Sequence, residues 1–316
     1  MAFEIKPFPE FSWSYSRHKT FGACQRQYYY TYYASHNGWL RTSDATQKQA
    51  YRLKKMQTLP LAIGQIVHDL LAKTIQTYFQ TNDLLQLEYL EKNARDFLNT
   101  IYRNSTTYQH LWFEQPGKHP IFQEIHYFNT LDSQQLHFYN AMLRTYFENF
   151  FASKTMHRIL HESVTFKQLE DFSYLRHDGI KIYVVLDLLY VDQQDDWHIV
   201  DWKTGKPSPD DREQLMLYAH YVHTYYNIAY EKIHLHLEYL ASATVQSFQV
   251  NDKMLDNIFY LFEQSTHYMK ALMADILTNE PLSEADFTAN PDRNKCTRCN
   301  YLALCTAQTY FPSNLG

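Results

Sequence analysis

Residues 197–205, WHIVDWKTG, decide how the middle of this chain folds. Like residues 179–191, GIKIYVVLDLLYV, they alternate apolar and other side chains with a period of two, which is typical of β-strands. The polar residues 192–196 separate the two runs, so the sequence predicts a β-hairpin with its turn centred on Gln194. In this register the facing pairs are Leu189 with Ile199, Asp187 with Asp201, and Val185 with Lys203.

Three charged side chains of this hairpin are expected on one face. Side chains alternate across a strand, so Asp201 and Lys203 project to the same side, together with Asp187. Two carboxylates placed opposite each other destabilise a sheet unless something positive lies between them. A divalent cation would meet this requirement. The alternative is that residues 201–205 are only a strand end with a surface ion pair, since such pairs contribute little to stability.

Two predicted helices carry further polar side chains at helical spacing. One begins near Pro209, with acidic residues in its first turn, and places Gln214 and Tyr218 on one face because they are four residues apart. The other covers about residues 61–79 and places Gly64 and His68 on one face. An isolated helix histidine is usually packed or solvated, so His68 gains significance only in combination with the hairpin.

These side chains suit phosphodiester hydrolysis. Carboxylates such as Asp187 and Asp201 are the oxygen ligands that Mg²⁺ or Mn²⁺ prefers, and His68 adds a nitrogen ligand that Mn²⁺ tolerates better. A bound cation polarises a phosphoryl oxygen and lowers the pKa of bound water. Lys203 is placed to orient that water or to neutralise the developing charge.

The combined pattern resembles the PD-(D/E)XK nuclease superfamily, in its RecB, AddB and Cas4-like branch. That branch has Gly-x-x-x-His on a helix, Asp on a strand, Asp-x-Lys-Thr-Gly on the next strand, and Gln-x-x-x-Tyr on the following helix. The resemblance implies that His68, Asp187, Asp201 and the Trp202 carbonyl bind the metal, and that the catalytic residues are Asp187, Asp201, Lys203, Gln214 and Tyr218. Glu162 matches a further acidic position before the hairpin, whereas Val185 stands where many members have glycine.

Four cysteines form a second signature, at Cys24, Cys296, Cys299 and Cys305. A disulfide framework is not expected in so long a chain with so few cysteines. The last three have C-x₂-C-x₅-C spacing, and Cys24 is the remaining candidate for a fourth ligand. Four thiolates also make a closed zinc site, although such sites usually draw on two local pairs. A lone early cysteine with this late triplet resembles the [4Fe-4S] cluster of the same branch, which implies an iron-sulfur module of residues 14–34 plus 287–310. Residues 14–34 resemble the opening helix of that branch and are predicted to form one helix.

Composition narrows the class of protein. Apolar residues make up 45% of the 316, enough for a sizeable core, and the net charge of −5 argues against a protein that coats polyanions generally. No apolar run approaches the ~20 residues that span a bilayer, so a soluble cytoplasmic protein without membrane contact is expected. Residues 37–58 are interpreted as a polar, mobile connection, and their basic side chains either contact DNA or form a solvated face.

The resemblance implies a mixed α/β fold: a restriction-endonuclease-like core with a central mixed sheet flanked by helices, in one domain over residues 1–316. Residues 83–155 are predicted to be a helical insertion that narrows the site, and an iron-sulfur staple joins the N- and C-terminal segments. The expected function is a metal-dependent deoxyribonuclease, an exonuclease on single strands or ends, in repair, recombination or defence. One alternative is a DNA-binding subunit with a vestigial site, beside a helicase or in a CRISPR-adaptation-like complex. Another is an RNA-directed or defence nuclease that is toxic to its host.

Overall fold

The structure is a computed structural model, and it describes residues 5–305. Residues 306–310 of the predicted iron-sulfur module therefore lie outside the described residues. The chain forms two compact units. Unit 1 comprises Met1–Leu59, Thr100–Thr130 and Leu261–Gly316, and unit 2 comprises Pro60–Asn99 and Leu131–Tyr260.

Helices occupy much of the described chain. Within residues 5–305 the α-helices are α1 (Tyr15–Ala23), α2 (Gln25–Tyr29), α3 (Ala45–Lys54), α4 (Leu59–Thr81), α5 (Leu87–Thr106), α6 (Gln109–Glu114), α7 (Gln123–Phe128), α8 (Ser133–Phe151), α9 (Lys154–His161), α10 (Pro209–Tyr226), α11 (Asp252–Lys270) and α12 (Arg293–Cys296). A π-helical turn, Tyr30–Ala34, continues α2. No helix of the described residues is both long and apolar enough to cross a membrane.

The strands lie mostly in unit 2. In the described part of the chain they are β1 (Ser12–Trp13), β2 (Thr165–Gln168), β3 (Asp171–His177), β4 (Ile180–Leu186), β5 (Leu188–Val191), β6 (Trp197–Lys203), β7 (Ile233–Tyr239), β8 (Thr244–Gln249), β9 (Met273–Asp275) and β10 (Glu280–Pro281).

The central sheet of unit 2 has the order β2-β5-β6-β7-β8. Its strands pair antiparallel except β6 and β7, which are parallel because α10 connects them and returns the chain to the same end of the sheet. Residues of β6 are buried from Trp197 to Trp202, as expected for a strand covered on both faces. The α/β class and the central mixed sheet flanked by helices are confirmed.

The predicted hairpin is correct in part. Leu189 faces Ile199 on β6 as predicted, but residues 179–191 are not one strand. The chain bends at Asp187, so that β4 pairs with β3 and only β5 pairs with β6. Val185 therefore faces Phe172 on β3, and its predicted pairing with Lys203 is wrong.

The physical reason is a stronger local turn upstream. Asp178 and Gly179 both have positive φ, 48° and 76°, and connect His177 directly to Ile180. Asp-Gly is the favoured dipeptide for such a two-residue turn, since its twist matches that of the flanking strands. This turn pairs β4 with β3, so the chain bends after β4 before β5 joins the central sheet.

Unit 1 corrects two predictions about the N-terminal region. The opening helix is not continuous over residues 14–34, because Cys24 has extended backbone and separates α1 from α2. Residues 37–58 are not merely a mobile connection, since they contain α3. Asp44 caps this helix by accepting a hydrogen bond from the Gln47 backbone N–H, and the helix buries Ala50 and Leu53.

The core of unit 1 brings distant parts of the sequence together. Its buried members are Tyr30, Leu53, Met56, Trp112, Ile121 and Tyr301. Tyr30 and Tyr301 stack with ring centroids 5.3 Å apart, which fixes the segment after α2 against the C-terminal segment. The range 83–155, predicted to be a helical insertion, contains α5 to α8, and Thr100–Thr130 belongs to unit 1 and the remainder to unit 2.

Candidate active site

The hairpin of β3 and β4 ends at two acidic residues of unit 2. Asp171 and Leu186 form its last pair, and the Glu170 backbone N–H donates a hydrogen bond to the Leu186 carbonyl at 2.8 Å. Glu170 has a φ of 51°, which turns the chain out of the ladder. Glu170 and Asp187 therefore lie one residue beyond the last pair, each next to its own strand.

Helix α4 adds a histidine to this pair. His68 Nδ1 lies 3.2 Å from Asp187 Oδ2 and 3.3 Å from Glu170 Oε1. One donor atom from each of the three residues lies within 4.8 Å of the others, which is a spacing that can hold a metal ion. Gly64 lies one turn earlier on α4, and a Cβ added there would stand 3.5 Å from Thr204 Oγ1, in ordinary contact with the end of β6.

Glu170 is the acidic ligand that sequence reasoning missed. The sequence favours Glu162, but Glu162 is exposed at the C-terminal end of α9, and the structure places Glu170 beside His68 and Asp187 instead. Asp178-Gly179 carries the signal that would have found it. Counting outward from that turn pairs Asp171 with Leu186, and the next pair is Glu170 with Asp187.

Strand β6 contributes a buried carboxylate and a backbone contact. Asp201 is 2% exposed and Asp187 is 6% exposed. The Trp202 backbone N–H donates to Asp187 Oδ2 at 2.7 Å. The N–H and C=O of one strand residue point to the same side, so the Trp202 carbonyl also faces Asp187. Asp201 is not part of the group formed by His68, Glu170 and Asp187. Its Oδ2 lies 2.6 Å from Lys203 Nζ.

The electrostatics of these acids favour a cation. Burial and the neighbouring Asp187 raise the pKa of Asp201 to about 7, against the opposing effect of Lys203. Burial also raises the pKa of Glu170. For His68, burial disfavours the charged ring, but Asp187 and Glu170 outweigh it and raise the pKa. A divalent cation among these oxygens would relieve the repulsion, so the residues present fit such an ion.

Lys203 is held in one position by its neighbours. Besides Asp201, it contacts Gln214, donating from Nζ to Oε1 at 3.1 Å, and Gln214 Nε2 in turn donates to the Tyr218 hydroxyl. Burial opposes the charge of Lys203, but Asp201 and the other nearby acids raise its pKa, so the amine stays protonated. The structure therefore brings together His68, Asp187, Asp201, Trp202, Lys203, Gln214 and Tyr218, all of which the sequence predicts for this site.

The four cysteines line one cavity in unit 1, together with residues of the N- and C-terminal segments. Burial raises the pKa of Cys299 to about 12, and the thiols of Cys24, Cys296 and Cys305 add to this effect. The Asn290 backbone N–H donates to Cys24 Sγ at 3.5 Å. Four converging thiols with a backbone donor fit a thiolate-bound metal centre.

The chain matches one family of known proteins over most of its length. A family model of the PD-(D/E)XK nuclease superfamily matches residues 12–306. No protein with a curated function matches the chain. Among solved structures, the crystal structure of SSO0001 is similar, with 13% sequence identity and a TM-score of 0.30, over 77% of this chain and 97% of that chain.

The family match spans most of the chain and includes the residues of both sites. Nucleases of this superfamily generally use divalent metals, which agrees with the His68, Glu170 and Asp187 group. The protein belongs to the PD-(D/E)XK nuclease superfamily.

Proposed function

We propose that this protein is a metal-dependent deoxyribonuclease that hydrolyses phosphodiester bonds of single strands or DNA ends. One observation carries the proposal: the three metal-binding donors of His68, Glu170 and Asp187 lie in the same unit as a lysine fixed by Asp201 and Gln214. Metal ligands and a positioned cation are the two parts that phosphodiester hydrolysis requires. Their joint presence favours an enzyme over a subunit with a vestigial site.

Different residues of unit 2 have different roles in the proposed reaction. His68, Glu170 and Asp187, with Asp201 and the Trp202 carbonyl, would hold Mg²⁺ or Mn²⁺, which polarises the phosphoryl group and acidifies water when bound. Lys203 keeps its proton and presents a positive charge where negative charge develops on the phosphoryl oxygens.

Gln214 and Tyr218 act through Lys203. Gln214 accepts a hydrogen bond from Lys203 Nζ and donates one to Tyr218, so its amide is oriented at both ends. A lysine side chain has several rotatable bonds, and these contacts limit how far its amine moves. Their contribution is positioning, so losing Gln214 should cost less activity than losing Lys203.

A set of alanine variants tests these roles. Asp187→Ala and Asp201→Ala should abolish cleavage of labelled single-stranded DNA, because each removes a buried carboxylate from the metal site. His68→Ala should retain some activity with Mn²⁺, since the carboxylates remain. Gln214→Ala should cost less than the roughly 10²-fold expected for loss of a transition-state contact. Parent-like digestion by the Asp187 and Asp201 variants would refute the assignment and favour a non-catalytic subunit.

The preference for single strands follows from the proposal that the unit 2 helices of residues 83–99 and 131–155 narrow the approach to the site. A thin strand passes a narrow approach more easily than a duplex does. The measurement compares degradation of linear and circular single strands with nicking of covalently closed duplex circles. Equal rates on all three substrates would contradict the preference, while leaving the catalytic assignment intact.

We also propose that the four cysteines bind a [4Fe-4S] cluster. The support is their common cavity and the suitability of thiolates for such clusters. The cluster would join the segment around Cys24 to the C-terminal segment. Anaerobically purified protein should be brown, and Cys24→Ala or Cys299→Ala should bleach and destabilise it. Stoichiometric zinc without iron or sulfide would overturn this proposal.

A further inference from the structure

The outer face of the β3–β4 hairpin exposes large aromatic side chains. Phe172 is 71% exposed and Tyr174 is 48% exposed. Tyr183, on β4, stacks on Phe172 with ring centroids 4.8 Å apart and meets Tyr174 edge-on at 6.1 Å. We call these three residues the aromatic face. Contiguous exposed apolar surface of this kind marks a binding site more often than it serves folding.

The aromatic face leads directly to the candidate active site. The cross-strand pairs on this side of the hairpin are Arg176 with Lys181, Tyr174 with Tyr183, and Phe172 with Val185. Every second residue of a strand lies on the same side, and on this side of β4 the position after Val185 is Asp187, the first residue beyond the strand. Two residues advance a strand by about 7 Å, so Phe172 lies about one such step from the metal ligands and Tyr174 about two.

Positive charge follows the aromatic side chains at the far end of the hairpin. Lys181 Nζ lies 5.2 Å from the centre of the Tyr174 ring, and Arg176 Cζ lies 5.9 Å from it. Cations at these distances are attracted to the ring and remain near it. The order along the hairpin is therefore metal ligands, aromatic rings and cations, within one unit of the protein.

This order matches an unpaired nucleic acid strand. Proteins hold single strands by stacking bases on aromatic side chains and by placing cations near the phosphates. In a duplex each base already stacks on its neighbours, so its faces are not available to the hairpin. A peptide or a second copy of this chain would not require cations at one end and a phosphodiester site at the other.

We propose that the aromatic face binds the bases of the single DNA strand that extends from the scissile phosphate, and that Arg176 and Lys181 contact its backbone farther out. The proposal rests on the function proposed above and adds the surface that selects an unpaired strand. Val185, which pairs with Phe172, occupies the position between the aromatic face and Asp187.

Binding without cleavage is the first test. The full chain in EDTA is titrated with fluorescently labelled oligothymidylate, and anisotropy reports affinity. Phe172→Leu and Tyr174→Leu should each weaken binding about 5- to 150-fold, the range that corresponds to one base–aromatic stack. Phe172→Tyr retains a ring and should bind like the parent. The matched control is Tyr268→Leu, because Tyr268 is 57% exposed and meets the His267 ring edge-on, but belongs to unit 1, whereas the hairpin belongs to unit 2.

The salt dependence tests the cations separately. For single strands, each phosphate contact contributes about 0.7 to the slope of log affinity against log salt concentration. Arg176→Gln and Lys181→Gln should each reduce the slope by about that amount, whereas Phe172→Leu should leave it unchanged. An unchanged slope in both charge variants would overturn the assignment of the hairpin end to the DNA backbone.

A pair of substrates separates this proposal from the proposed function. With Mn²⁺, hydrolysis of the small ester bis(p-nitrophenyl) phosphate depends on the active site alone, whereas long strands also reach the hairpin. Phe172→Leu should keep the parent rate on the ester and raise KM on long single strands. If the parent hydrolyses neither substrate, the proposed function is wrong. The binding data in EDTA still show whether the aromatic face binds single-stranded DNA.

Three results would overturn the inference. One is equal affinity of parent and Phe172→Leu for oligothymidylate. Another is an equal loss of affinity for duplex DNA and for single strands, which would mean that the face does not select unpaired bases. The third is a Phe172→Leu effect on oligomeric state in light scattering without any effect on DNA affinity, which would assign the face to a second copy of the chain.

Discussion

Replacing Lys203 with methionine removes a buried charge while keeping most of the side-chain length. In the parent, Nζ lies 2.6 Å from Asp201 Oδ2 and 4.0 Å from Asp211 Oδ1, and it donates to Gln214. The Lys203 side chain is 21% exposed and that of Asp201 is 3% exposed. Solvent therefore does little to replace the lost partner of Asp201.

Two magnitudes follow for Lys203→Met. Turnover should fall by roughly 10² or more, the scale expected when a preorganised contact to the transition state is removed. Stability without metal should fall by about 3–5 kcal/mol, since removing one member of a buried ion pair leaves the other uncompensated. A divalent cation supplies the missing positive charge, so the gain in unfolding free energy on adding Mn²⁺ should be larger for the variant than for the parent.

Single-turnover cleavage of end-labelled single-stranded DNA measures the first effect, and urea unfolding with EDTA or Mn²⁺ measures the second. Lys206→Met is the matched control, because Lys206 is exposed three residues further along and its loss removes the same formal charge. Lys206→Met should cleave DNA and unfold like the parent. If Lys203→Met retains the parent turnover at saturating metal, Lys203 is not catalytic. If the variant unfolds like the control in EDTA, the ion pair between Lys203 and Asp201 does not stabilise the protein.

Three further predictions follow from particular positions. Glu170→Gln should lower Mn²⁺ affinity by at least about 10-fold in calorimetric titration, whereas Glu162→Gln should leave it unchanged; the reverse would restore the sequence-based choice. Burial, with His198 and Arg158 nearby, lowers the pKa of His236 to about 3, whereas the unfolded chain has a pKa of about 6.5 at this position. The folded state therefore favours the neutral ring, and its contribution to stability is complete above pH 6.5 and is lost as the pH falls below that value. His236→Gln should therefore reduce the loss of unfolding free energy between pH 7 and 5 by up to about 2 kcal/mol, and an unaltered pH profile in urea titrations would contradict this. At Gly64 an added Cβ would lie 3.5 Å from its nearest atom, which is an ordinary contact. Gly64→Ala should therefore keep DNA cleavage and raise the free energy of unfolding by about 0.5–1 kcal/mol. A large drop in cleavage or in unfolding free energy would show that the site has no room for the Cβ.

Local patterns predict much of the candidate site. Spacing of four residues places Gln214 beside Tyr218 on α10, and period-two alternation places Asp201 and Lys203 on one side of β6, because both repeats depend only on helix and strand geometry. The cysteine spacing likewise predicts three nearby thiols, and the structure gathers all four around one cavity.

The position of the acidic ligand is not determined in this local way. Glu162 and Glu170 both precede the hairpin, and the choice between them depends on which strand pairs with β4. A continuous apolar run gives no sign that the chain changes sheet at Asp187, since alternation is the same in either sheet. Because β3 pairs with β4, Glu170 rather than Glu162 lies beside Asp187.

The sequence by itself predicted the family and most of the residues that the structure brings together in the candidate site, because those predictions depend on residue types at short spacings. Only the tertiary structure decided that Glu170 joins His68 and Asp187, that Lys203 is fixed between Asp201 and Gln214, and that an aromatic face begins beside the metal ligands. Each of these depends on strand register and on contacts between residues far apart in the chain, and a shift of one residue in register would move every side chain to the opposite face.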